Sequence, residues 1–138
     1  MVGLVEKGHR TVDELLAEAR AGISRFTPAE AAGAGAAGAI LVDIRPAHQR
    51  ERDGLVPGAY LVDRNVLEWR LDPDSPHRDP RLARRGTEVI VICDEGYQSS
   101  LAAAALRAFG VDAGDVVGGV QAWIEDGLPL DQPDPPRA

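Results

Sequence analysis

Two stretches, AILVDIR (39–45) and EVIVIC (88–93), constrain the fold more than anything else in the chain. In both, the apolar residues are contiguous and largely β-branched, with no polar–apolar alternation. A strand of this kind is covered on both faces, which is the condition of a parallel sheet held between helices. The intervening segments supply those helices. TVDELLAEARAGI opens on a capping box, Thr11 with Glu14, and its apolar spacing predicts a helix over about 12–21. Thr27, Pro28 and Glu30 start a second helix, expected to be short because Gly33 and Gly35 dilute it, with the Ala/Gly run 31–39 read as a loose connection.

The turn signals of DGLVPGAY (53–60) precede an expected short strand at 59–62, and RNVLEWRL (64–71) reads as a turn or two of helix. DPDSPHRDPR (72–81) is proline-rich and reads as an exposed loop. QSSLAAAALRAFG (98–110) is a helix closed by Gly110. A third strand is expected at 115–117, then a turn at Gly118-Gly119 and a short helix over 120–127. Strands alternating with helices predict a single α/β domain whose central, mostly parallel sheet is flanked by helices. A chain of 138 residues suits one such core. The expected divisions are an N-terminal helical extension (1–26), the domain proper (27–130) and a frayed proline-rich tail (131–138).

A formal charge of −7 argues against nucleic acid or an anionic membrane as partner, since phosphates call for a basic face. The run AAGAGAAGAILV (31–42) is too short and glycine-rich to span a bilayer. The N-terminus lacks the basic start and apolar stretch of a signal peptide, and one cysteine makes no internal disulfide, so a cytoplasmic location is expected. His9, His48 and His77 are scattered, with no metal-ligand spacing. Gly118-Gly119 is not a phosphate loop, because no Lys-Ser/Thr follows.

That one cysteine, Cys93, falls where EVIVIC ends and the loop DEGYQ begins, directly before a helix. In α/β sheets the ligand site lies at the carboxyl ends of the strands. A loop feeding a helix N-terminus offers unpaired amides and the positive end of the helix dipole, and both stabilise a thiolate. Gly96 permits the tight curl that turns successive amides inward, and Ser99 or Ser100 can cap the helix. A buried structural cysteine is the competing reading.

LVDIRP (41–46), GLVPGA (54–59), CDEGYQSS (93–100) and VVGGVQAWIEDGLP (116–129), in this order and spacing, resemble the rhodanese-like domain family from about Thr27 to Pro129. The resemblance implies a small α/β domain in which Cys93 accepts a sulfane sulfur as a persulfide and passes it to a thiol or cyanide. It implies no metal and no organic cofactor. The donor is a small molecule or a protein persulfide. The substrate loop is Asp94, Glu95, Gly96, Tyr97, Gln98 and Ser99, and its six-residue length from Cys93 to Gln98 is that of sulfurtransferases. Related phosphatases have a loop one residue longer, closed by arginine where this chain has Ser99. Many members carry a loop arginine where Gln98 stands. With Asp94 and Glu95 adding negative charge, thiosulfate is disfavoured and neutral or cationic donors are favoured. The alternative is a rhodanese-like binding or sulfur-carrier module with little turnover.

Asp43 and Arg45 are expected to brace the site, and Arg64 to restore positive charge at its mouth. Trp69 and Tyr97 are candidates for an aromatic wall. Trp123 belongs to the core.

Overall fold

The computed structural model describes residues 8–133. Helix α1 (Val12–Ala21) starts at the Thr11 capping box, in which the Glu14 amide donates to Thr11 Oγ1 at 3.1 Å and the Thr11 amide to Glu14 Oε1 at 2.8 Å. Strand β1 (Ser24–Phe26) follows. Helix α2 (Pro28–Ala36) repeats the capping box with Thr27 and Glu30. It runs through Gly33 and Gly35, so most of the expected loose connection is helical. Glycine has a packing reason here: a Cβ on Gly35 would lie 3.0 Å from Leu41 Cδ1, so only a bare backbone approaches the next strand this closely.

Strand β2 (Ile40–Asp43), helix α3 (Ala47–Asp53) and strand β3 (Tyr60–Leu61) come next. A 3₁₀ turn (Arg64–Val66) runs into helix α4 (Leu67–Leu71). The proline-rich segment that follows is a loop, yet it is anchored, with Ser75 and Leu82 buried. Strand β4 (Glu88–Ile92), helix α5 (Gln98–Arg107), strand β5 (Asp112–Val116) and helix α6 (Gly119–Glu125) complete the domain. Among the described residues, no helix is long and apolar enough to cross a membrane.

All five strands are parallel, in the order β1-β5-β4-β2-β3. Contiguous apolarity is resolved into two faces by the strand period of two. Ile40, Val42, Val89, Val91 and Cys93 join Leu67, Ala102 and Leu106 in one core. Leu41, Ile90 and Ile92 join Ala31, Val116, Val120 and Trp123 in the other. Each fully buried aliphatic side chain contributes roughly 1.5–3 kcal/mol. Trp123 is fixed in the second core, and its Nε1 donates to the Pro129 carbonyl at 2.9 Å.

Three elements differ from expectation. Strand β5 is longer and begins earlier than 115–117, because its sequence, DAGDV, does not read as a strand. Gly114 is required there: a Cβ would fall 2.4 Å from the Ser24 carbonyl of β1. Strand β1 and the wholly polar-faced α3 have no apolar pattern to announce them. The segment 1–26 is, over its described part, built into the domain, since β1 pairs with β5 at the sheet edge and α1 packs on α5. The tail begins ordered, through a bridge between Leu55 and Asp131; residues 134–138 lie outside the described residues.

Candidate active site

Strand β4 delivers Cys93 to the carboxyl edge of the sheet, at its centre, between β2 and β5. The thiol is nearly buried, on the floor of a cavity of about 520 Å³ lined by Arg45, Gln49, Asp94, Glu95, Tyr97 and Gln98 among others. Two backbone amides point at the sulfur: Gly96 N lies 3.2 Å and Ser99 N 3.3 Å from Cys93 Sγ. Gly96 makes the curl with a φ of +84°, and a Cβ there would strike the Gly118 nitrogen at 2.6 Å.

The loop is clamped from below by the start of α6. The Val120 amide donates to the Cys93 carbonyl at 2.9 Å and the Gln121 amide to the Asp94 carbonyl at 3.0 Å. Gly118-Gly119 is thus a turn, and one that also permits close approach. A Cβ on Gly119 would lie 2.4 Å from the Cys93 oxygen.

A second anchor was not read from the sequence. The fully buried Asp115, at the end of β5, accepts from Arg25 through Nε at 2.9 Å and Nη2 at 3.2 Å. It also accepts from the hydroxyls of Ser99 at 2.7 Å and Ser100 at 2.8 Å. The Gly96 carbonyl receives Arg25 Nη2 at 3.1 Å and Arg20 Nη2 at 2.7 Å. Arg20 also lies over the exposed Tyr97 ring, 5.4 Å from its centroid. No local signal marks Arg25 or Asp115, because their strands, SRF and DAGDV, lack an apolar pattern.

Asp43 and Arg45 are both buried and form a fork: Arg45 Nη2 lies 2.8 Å from Asp43 Oδ2 and Nε 3.1 Å from Oδ1. Arg45 Nη2 also donates to the Gly54 carbonyl at 2.8 Å, and Nη1 to the Gln49 carbonyl at 3.4 Å. With every guanidinium nitrogen engaged, this cation braces the cavity wall. Asp94 is likewise paired, accepting from Arg52 Nη2 at 3.0 Å and Gln121 Nε2 at 2.9 Å. Its carboxylate therefore adds less uncompensated charge than its place in the loop suggested. The hydrogen-bonded Arg52 guanidinium holds the neighbouring Asp53 carboxyl below its ordinary range. Glu95 is exposed at the cavity mouth.

Arg64 is not brought to the cavity; it pairs with Glu68 at 2.9 Å, one turn along its own helical segment. Trp69 and Tyr97 do not share a wall, since Trp69 borders a separate groove with Phe109.

The model of the rhodanese-like domain matches residues 27–126. Among curated proteins, the adenylyltransferase and sulfurtransferase MOCS3-2 of Zea mays is 33% identical over 90 residues, 63% of this chain and 18% of that protein. The chain therefore spans under a fifth of the length of this relative. Among solved structures, a Rhodopseudomonas palustris protein of unknown function, described as a possible tyrosine phosphatase, is 32% identical with a TM-score of 0.81. The match covers 88% of this chain and 95% of that one. A rhodanese homolog from Thermus thermophilus is 28% identical, with a TM-score of 0.54 over 72% of this chain and 99% of its own.

Proposed function

The chain belongs to the rhodanese-like domain family, and from that premise we propose that it is a sulfurtransferase with Cys93 as its catalytic residue. The observation that carries this reading is the Cys93 sulfur at a strand end, open to a cavity and facing the amides of Gly96 and Ser99. Hydrogen bonds to sulfur favour its anionic, nucleophilic form. The Cys93 thiolate attacks the outer sulfur of a donor R–S–SH. The donor S–S bond breaks, RS⁻ leaves with the electron pair, and Cys93–S–SH remains. An acceptor thiolate then attacks the outer sulfur, takes it as a new persulfide and returns the Cys93 thiolate. With cyanide the product is thiocyanate. The loop amides stabilise the negative charge on each departing sulfur.

The charges lining the cavity narrow the donor class. Its one lining cation, Arg45, is engaged by Asp43, while Glu95 stands at the mouth. A dianion such as thiosulfate finds no unengaged guanidinium among the lining residues, so the donor is a neutral, monoanionic or amine-bearing persulfide. The same observation weighs against phosphatase chemistry, which places a doubly charged phosphoryl group in the loop. It also favours, as a second reading, a sulfur carrier loaded by a partner and turning over slowly. The reaction suits the reducing cytoplasm, where a lone thiol stays free.

Incubation with a sulfane-sulfur donor followed by intact mass is the direct test. Wild type gains about 32 Da, one sulfur, and Cys93→Ser gains none. A titratable thiol that stays unmodified across several donors overturns the assignment.

A further inference from the structure

We infer that Asp115 and Arg25 are positioning residues that hold the two sulfur-facing amides on Cys93. This ion pair grips both residues whose amides reach the sulfur, Gly96 and Ser99, and also the neighbouring Ser100. Ser99 is held through its hydroxyl on Asp115 at 2.7 Å, and Gly96 through its carbonyl on Arg25 at 3.1 Å. Arg25 and Asp115 stand opposite each other in the β1–β5 register, so the grip is anchored in the sheet rather than in the loop itself. The Asp115 carboxylate is fully buried and accepts four hydrogen bonds, Arg25 Nε on Oδ1 and Arg25 Nη2 with the Ser99 and Ser100 hydroxyls on Oδ2. Arg20 adds a second guanidinium to the Gly96 carbonyl and donates through Nε to Ser100 Oγ at 3.1 Å. A loop held at both contact points presents its amides to the sulfur without reorganising during the reaction.

The inference rests on Cys93 as the reacting thiol, and it makes a prediction whose sign separates geometry from charge. Asp115→Asn deletes an anion near the sulfur. Acting only through space, that deletion favours the thiolate and moves the pH midpoint of Cys93 alkylation down. Acting through position, it releases Ser99 and the helix start, weakens the amide contacts and moves the midpoint up.

The rate of iodoacetamide alkylation is followed across about pH 5–9 in the intact chain, with circular dichroism as the check on folding. The expected result for Asp115→Asn is an upward shift of about one pH unit. Ser99→Ala changes no charge and gives a smaller upward shift. An unchanged or lowered midpoint in folded Asp115→Asn overturns the proposal, and a loss of thermal stability alone does not support it. If Asp115→Asn does not fold, Ser99→Ala decides in the same terms. Alkylation needs no sulfur donor, so a wild type that alkylates but never gains sulfur refutes the transferase reading without touching this one.

Discussion

Arg52 Nη2 lies 3.0 Å from Asp94 Oδ1, so the carboxylate that follows the thiol is paired with a cation before any substrate arrives. Glu95, one residue on, is exposed at the cavity mouth with no ion pair of its own among the described residues. The two acids therefore act differently on an incoming anion.

Glu95→Gln raises kcat/KM for thiosulfate by roughly threefold relative to a neutral persulfide donor, and the gain shrinks as salt rises, as for an exposed charge. Asp94→Asn gives a smaller gain, because the Asp94 charge is already paired with Arg52, and Arg52 keeps Asp53 as a partner in the variant. Steady-state rates with two donors at low and high ionic strength check this. A gain that salt leaves untouched rules out the electrostatic account.

Gly119→Ala disrupts the loop. Its Cβ would meet the Cys93 and Asp94 carbonyl oxygens at 2.4 and 2.6 Å, at a φ of +60° that side chains rarely adopt. The expected cost is above about 2 kcal/mol, together with a changed alkylation rate at Cys93. Urea unfolding and thiol kinetics measure both. Wild-type values in each would mean that the α6 turn does not clamp the site.

Trp123→Ala removes a buried indole from the second core and costs about 3–5 kcal/mol. Chemical denaturation reads this directly. A loss under about 0.5 kcal/mol would place the ring outside the cooperative core.

Stability declines in acid, and the surface pair Arg52–Asp53 contributes to the decline. The Asp53 carboxyl is held below its ordinary range by the Arg52 hydrogen bond, so its contribution is present above the unfolded value and is lost as pH falls through the folded one. The loss sets in below about pH 4. Asp53→Asn flattens this part of the pH–stability curve, and salt flattens it in wild type, because the pair is exposed to solvent screening. Equal acid slopes for both proteins would show that Asp53 has no part in it.

The elements with a strong local signature were legible before any coordinates. Two capping boxes located α1 and the start of α2. Contiguous apolar residues located β2 and β4, and with them the placement of Cys93 at a strand end. What escaped was structure specified by tertiary contact. Strand β5 contains Gly114 because β1 leaves no room for a side chain, and nothing local in DAGDV reports that neighbour. Arg64 looked close to the site along the chain, yet an i,i+4 partner, Glu68, takes it. Arg20, Arg25 and Asp115 carry no pattern at all, since their meeting with the loop is a matter of sheet order.

The edge strand β1 has a bearing on how this protein can be cut. The family match begins at residue 27, one residue after β1 ends. A fragment started there keeps the thiol, its loop and the buried residues of both cores, but loses Ile23 and Phe26, which pack against them. It loses the guanidinium that neutralises Asp115, and a buried carboxylate stripped of its cation costs about 3–5 kcal/mol. It also turns β5 into a raw sheet margin, with backbone groups open to pairing with another copy. The family match thus begins inside the wall of the sheet, and a fragment expected to keep Asp115 paired and β5 covered starts upstream of Thr11, before the first capping box.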